Sequence, residues 1–158
     1  MKLKLSDWAS IAEVVSAIAV VISLVYVGIQ INENTGETRA ANRQLLISRS
    51  HLGTMAAAGS ESSAIFAKVT AGTALTPTEL AQYGFLMRTV LYDVQEAYLL
   101  YREGRLDEEY WNTRAAVALA FLAPAPARDS YRRDRSIGAF HTDFVEWLDG
   151  AIEERYGD

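Results

Sequence analysis

Few side chains in this sequence have types and spacings that suit chemistry. Asp107, Glu108 and Glu109 form a run of carboxylates. Consecutive helix positions point in different directions, and acidic residues in succession are what the positive end of a helix attracts. Asp93 and Glu96 share a helix face with Ala97, which suits a bound cation, a bundle interior or arginine partners. The two histidines are His51 and His141. The first lies in a polar stretch and reads as exposed; the second precedes Thr142-Asp143 and reads as a helix cap. The Glu-x-x-His pairs of a di-metal bundle are missing. So are a Gly-x-Ser-x-Gly elbow, a phosphate-binding glycine loop and His-Glu-x-x-His. The sequence nominates no catalytic residue, no metal ligand and no cofactor.

Composition narrows the field further. The 158 residues contain no cysteine, which excludes a disulfide framework, cysteine-ligated zinc and thiol catalysis. A net charge of −5 argues against a nucleic-acid partner. Arg132, Arg133 and Arg135 around Asp134 are a local exception; they suit anionic lipid headgroups or a solvated helix face. Apolar residues make up 50% of the chain and charged residues 22%, so the chain is not of the disordered class.

The apolar residues are unevenly spread. Ile11 to Ile31 reads IAEVVSAIAVVISLVYVGIQI, with Glu13 as its one formal charge. About 20 mostly apolar residues cross the hydrocarbon core as a helix, and in lipid a lone segment must be helical to satisfy its backbone. Trp8, Lys2 and Lys4 suit the membrane interface at one end. Two other readings stay open: a cleaved secretory signal with Lys2 and Lys4 as its basic end, and a buried core helix. Glu13 is within two turns of Trp8 and within reach of interfacial water. Ala12, Ser16, Ala19, Ser23, Tyr26 and Gln30 recur at alternating spacings of four and three. That is a heptad seam of small and polar residues, which lets helices approach closely in lipid. The expected partners are the lipid bilayer and either a second copy or another integral membrane protein. Basic residues nearly balance across the span, with Arg39, Arg43 and Arg49 following it; the expectation leans to a cytoplasmic C-terminal domain.

The remaining elements all read as helices. Nothing between Gln30 and Ser50 stops a helix firmly, so the span is expected to continue to Ala58, with Gly59-Ser60 as the break; the alternative is a break at Asn32 to Gly36, a hinge at the membrane surface. A short helix over Ser62 to Ala71 follows, closed by Gly72. Thr76-Pro77-Thr78-Glu79 carries a capping box with proline in the first turn. The apolar face from Leu80 to Tyr101 ends at Gly104, a C′ residue. Asp107 caps the next helix, and Pro124 and Pro126 stop it. Tyr98, Tyr101, Tyr110 and Trp111 bracket the turn at Gly104 as the core between two antiparallel helices. Ala127 to Ser136 is charge-dense, with Tyr131 as its main apolar residue. The last helix starts near His141-Thr142-Asp143, buries Phe144, Val145, Leu148 and Ile152, and ends at Gly157. The expected fold is all-α: residues 1–31 form the interfacial N-terminus and transmembrane helix, 32–60 a helical extension, and 61–158 a helical bundle.

Five stretches carry a resemblance: VISLVYVGIQI, ENT…TRA, LTPTEL, AYLLYREGRLDEEYW and FHTDFVEWLD. In their order and over nearly the whole chain, the sequence resembles an uncharacterised family of small bacterial proteins with one N-terminal transmembrane helix and a helical C-terminal domain. The resemblance implies that architecture and a bacterial inner-membrane setting, and it implies no activity. Two function classes follow from the residues. The first is a non-enzymatic membrane-anchored interaction protein, either a homo-oligomer or an accessory subunit. The second is a tethered sensor or enzyme with a pocket in the helical domain.

Overall fold

A computed structural model describes residues 5–157; Lys2 and Lys4 lie outside the described residues. Six helices follow one another: α1 (Leu5–Ala57), α2 (Ser60–Thr70), α3 (Pro77–Arg102), α4 (Glu108–Phe121), α5 (Ala125–Ser136) and α6 (Thr142–Tyr156). No strand occurs among the described residues, so the fold is all-α, as expected. The chain forms two compact units, a first reaching to Thr38 and a second beginning at Arg39.

The first unit is the N-terminal part of α1. Gly36 does not interrupt the helix, because one glycine costs only about 1 kcal/mol relative to alanine. Residues from Ala12 to Glu37 are exposed throughout. Polar side chains here bond to their own helix. Ser23 Oγ donates to the Ala19 carbonyl (2.9 Å), Thr35 Oγ1 to the Ile31 carbonyl (2.8 Å) and Gln30 Nε2 to the Tyr26 hydroxyl (3.1 Å).

The second unit is arranged around α3, which packs against α2, α4, α5 and α6. Its buried residues Tyr83, Met87, Leu91, Val94, Ala97, Tyr98 and Leu100 recur mostly at helical spacing. Each large side chain so buried contributes about 1.5–3 kcal/mol. Leu46 of α1, Ile65 of α2, Trp111 and Ala118 of α4, Tyr131 of α5 and Phe144 and Leu148 of α6 complete this core.

Local signals set the helix ends. The Thr76 hydroxyl accepts from the Glu79 N–H (3.3 Å), and the Glu79 carboxylate accepts from the Thr76 N–H (2.9 Å). Gly104 has φ +71°; there the Gly104 and Arg105 N–H groups reach back to the Tyr101 and Leu100 carbonyls, closing α3 in a left-handed turn that glycine adopts without strain. Asp107 Oδ1 accepts from the Tyr110 N–H (2.9 Å) and starts α4.

Two expectations change. Pro124 and Pro126 not only end α4 but also begin α5: Pro124 is its N-cap and Pro126 lies in its first turn, where a missing N–H costs nothing. The charge-dense stretch is therefore a full helix, burying Ala127, Ser130, Tyr131 and Asp134. His141 stands at the N-cap of α6, but its side chain makes no capping bond. The imidazole Nδ1 lies 4.0 Å from Asp143 instead, and the His141 N–H donates to Gln95 Oε1 (2.7 Å).

Glu79 ties α2 to α3 by pairing with Lys68. The Lys68 ammonium first, and then the Thr76 N–H, hold its carboxyl down to about 2 from 4.5. A carboxyl lowered on folding stabilises the fold above its unfolded value, and the contribution is lost as pH falls through the folded one. Thermal unfolding of the chain in mild detergent, followed by near-ultraviolet circular dichroism, is therefore expected to weaken from about pH 4.5 toward pH 2. Glu79→Gln is expected to lower stability at pH 7 and to flatten that acid limb. An unchanged limb would remove Glu79 from the account.

Candidate functional site

The expected seam lies on the first unit. With 100° between successive residues, Ala12, Ser16, Ala19, Ser23, Tyr26 and Gln30 fall within about 80° of arc. All six are exposed. Glu13 is exposed on a neighbouring strip, and Trp8, exposed near the helix start, lies in line with the seam. Val14, Ile18, Val21, Val25 and Ile29 occupy much of the opposite side, each more than half exposed. Within Ala12–His51, α1 is long and apolar enough by length and composition to cross a membrane, and none of its most apolar stretch is buried within the chain.

From Arg39 onward α1 belongs to the second unit and its side chains change role. Arg39 Nε donates to the Gly104 carbonyl (3.0 Å) and Asn42 Nδ2 to the Arg105 carbonyl (3.0 Å). Arg43 pairs with Asp107 (3.4 Å), Leu46 is 1% exposed and Arg49 faces Glu96 (3.8 Å). The two carbonyls lie just past the end of α3, where no helical N–H remains to serve them. This docking edge was missed from sequence. Its signal was the spacing of Arg39, Asn42, Arg43, Leu46 and Arg49 along one helix face.

Asp93 and Glu96 meet arginines. Arg114 Nη2 of α4 stands 4.0 Å from Asp93 Oδ2, and both side chains are largely buried. Among the described residues Arg114 Nε is buried without a hydrogen-bond partner. Burial pushes the Asp93 carboxyl above its ordinary value, with Arg114 and Arg49 pulling it down and Glu96 pushing it up. Burial likewise raises the Tyr110 phenol. The arrangement is a half-buried ion pair between α3 and α4. Arg49–Glu96, nearly half exposed on both sides, is of the surface kind that contributes only about 0–1 kcal/mol.

The aromatic residues around Gly104 do form a core. Tyr101 stacks on Trp111 (5.7 Å, 13°) and Tyr98 meets it edge-on (5.4 Å). Tyr110 stays outside this stack, beside Asp93 and Arg114. Trp147 of α6, which the α6 core expectation omitted, packs 4.8 Å from Trp111 and 5.7 Å from Tyr98. Sequence spacing did place Trp147 one residue from Leu148 on α6, but its partners come from two other helices.

The three arginines around Asp134 do not act as one patch. Arg132 pairs with Asp129 (3.2 Å) and Arg135 with Asp149 (2.7 Å). The same Asp149 accepts the Tyr131 hydroxyl (2.8 Å), and burial pushes that phenol well up. His51 is exposed. Asp107, Glu108 and Glu109 open α4 as expected. Beyond them, the outer side of α4 carries an open groove of about 840 Å³ lined by Asn112, Thr113, Ala116, Val117 and Ala120.

The fold and its exposed surfaces thus define an all-α protein with one long apolar N-terminal helix and a small helical unit. No protein-family model, curated protein or solved structure matches the chain.

A half-buried ion pair that loses one member leaves the other unpaired, whereas replacing both by apolar residues removes the desolvation cost as well. Asp93→Leu and Arg114→Met are each expected to lower unfolding free energy by about 1–3 kcal/mol. The double substitution is expected to cost less than either alone. Thermal unfolding of the four proteins in mild detergent measures this, and additive losses would show that the pair is not coupled.

Proposed function

We propose that the protein is a membrane-anchored helical interaction protein. α1 holds it in a bilayer, and the stripe of Ala12, Ser16, Ala19, Ser23, Tyr26 and Gln30 packs against a second copy or another integral membrane protein. The observation that carries the reading is the exposed apolar run of α1, none of which is buried within the chain. Leaving Val and Ile side chains in water forgoes about 1.5–3 kcal/mol each, so a row of them calls for cover. Lipid supplies that cover. The helix satisfies its own backbone there, and Ser23 and Gln30 already bond within the helix. Small residues on one strip favour close helix contact where no hydrophobic force drives association. The setting we infer from the resemblance is a bacterial inner membrane, with the second unit on the cytoplasmic side.

Two measurements test the reading. Membranes holding the full chain, washed in alkaline carbonate, are expected to retain it at full-length mass until detergent is added. Recovery in the wash, or a shortened chain, would overturn the anchor. Ser16→Leu combined with Ala19→Leu is expected to reduce the assembly extracted in mild detergent to a single copy. An assembly of unchanged mass would overturn the seam while leaving the anchor standing.

A further inference from the structure

α5 carries four arginines, and three of them share a face. With 100° between successive residues, Arg128, Arg132 and Arg135 fall within about 60° of arc, and Arg133 lies well outside it. Like charges three and four residues apart on a helix repel one another, so such a face costs stability. It looks onto α6. Between the two helices lies a half-enclosed hollow of about 300 Å³. The three arginines and Tyr131 line it from α5, and Asp149 and Glu153 line it from α6, with the buried Ile152 beneath them.

Each guanidinium is aimed by its neighbours. Arg128 Nη1 donates to the Leu122 carbonyl (3.0 Å) and to the Ala123 carbonyl, where α4 ends, and the group lies 4.9 Å from the Tyr156 ring centre. Arg135 pairs with one oxygen of Asp149 (2.7 Å), and the Tyr131 hydroxyl donates to the other (2.8 Å). Burial keeps that phenol neutral, so it adds no negative charge to the hollow. Arg132 pairs with Asp129 at 3.2 Å, but the two side chains are 49% and 60% exposed, a contact of the weakest class. Asp129 itself does not line the hollow. The lining thus sets three guanidiniums against two carboxylates, and Asp149 already has both oxygens engaged.

We propose that the hollow between α5 and α6 binds a small phosphorylated anion, with Arg128 and Arg132 meeting its phosphate oxygens and Arg135 completing the cradle. The inference goes beyond the membrane-anchor reading and does not rest on it. A guanidinium is a planar fork of donors that matches the oxygens of a phosphate, and several forks on one side favour a multivalent anion over a single charge. The volume is at the small end of ligand cavities, which suits a small soluble ion. A multiply charged phosphate outbids the single, solvent-exposed Asp129 for Arg132. It also relieves the repulsion that the three cations exert on one another along α5. Glu153 opposes the anion, and that opposition gives the site a signature of its own.

Equilibrium dialysis of the full chain in mild detergent against radiolabelled pyrophosphate, at about 0.15 M salt, tests the site. The expected result is saturable binding of one anion per chain, with Kd below about 1 mM. Arg132→Gln is expected to weaken it about tenfold. Arg105→Gln removes the same charge from an exposed pair elsewhere in the chain and is expected to leave the affinity unchanged. Glu153→Gln is expected to tighten binding about threefold, because it takes a negative charge out of the lining. Near-ultraviolet circular dichroism checks that each variant is folded, and Arg132, Arg105 and Glu153 are all exposed. Binding that does not saturate overturns the site. So does an equal loss in Arg105→Gln and Arg132→Gln, which would mark a diffuse effect of charge. An affinity that Glu153→Gln leaves unchanged or weakens would place the anion outside the hollow and overturn it as well.

Discussion

Burial of α3 is the constraint on which the second unit depends. Four other helices pack on it, and its buried side chains run from Tyr83 to Leu100. At about 1.5–3 kcal/mol for each large side chain, this packing outweighs a helix cap at about 1 kcal/mol and a surface ion pair at about 0–1 kcal/mol. Those smaller terms decide where things begin and end. The capping box at Thr76 and the left-handed turn at Gly104 set the length of α3, and thereby the level at which α4 turns back along it.

α1 is one helix under two sets of demands. From Ala12 to Glu37 its side chains are exposed, and Ser23, Gln30 and Thr35 bond back to their own helix. From Arg39 its polar side chains serve the carbonyls and carboxylates around the α3–α4 turn. The helix continues through Gly36 without a break, because it satisfies its own peptide groups whatever surrounds it and only the side chains must change.

Polar groups in the second unit are mostly paired, and pairing leaves the exceptions visible. Arg114 Nε is buried without a partner beside a carboxyl whose charge burial already opposes. Arg133 is exposed beside an arginine that Asp134 has neutralised. The first exception belongs to the packing of α3 on α4. The second lines a groove with the exposed Phe85.

The amino-acid sequence by itself determined what depends on near neighbours in the chain. Its helical class, the break at Gly59, the capping box at Thr76–Glu79, the turn at Gly104, the Asp107 cap and the apolar run of α1 are all short-range consequences of residue type and spacing. The reading of Pro124 and Pro126 shows its limit, since proline ends one helix and begins another by the same geometry. Only the tertiary structure decided which distant groups meet: Trp147 with Trp111 and Tyr98, Asn42 with the Arg105 carbonyl, and Arg88 with Asp134. It also decided that Arg132 and Arg135 are neutralised while Arg133 is left exposed. Spacing along one helix places a residue on a face, but its partner is chosen by how separate helices pack in space.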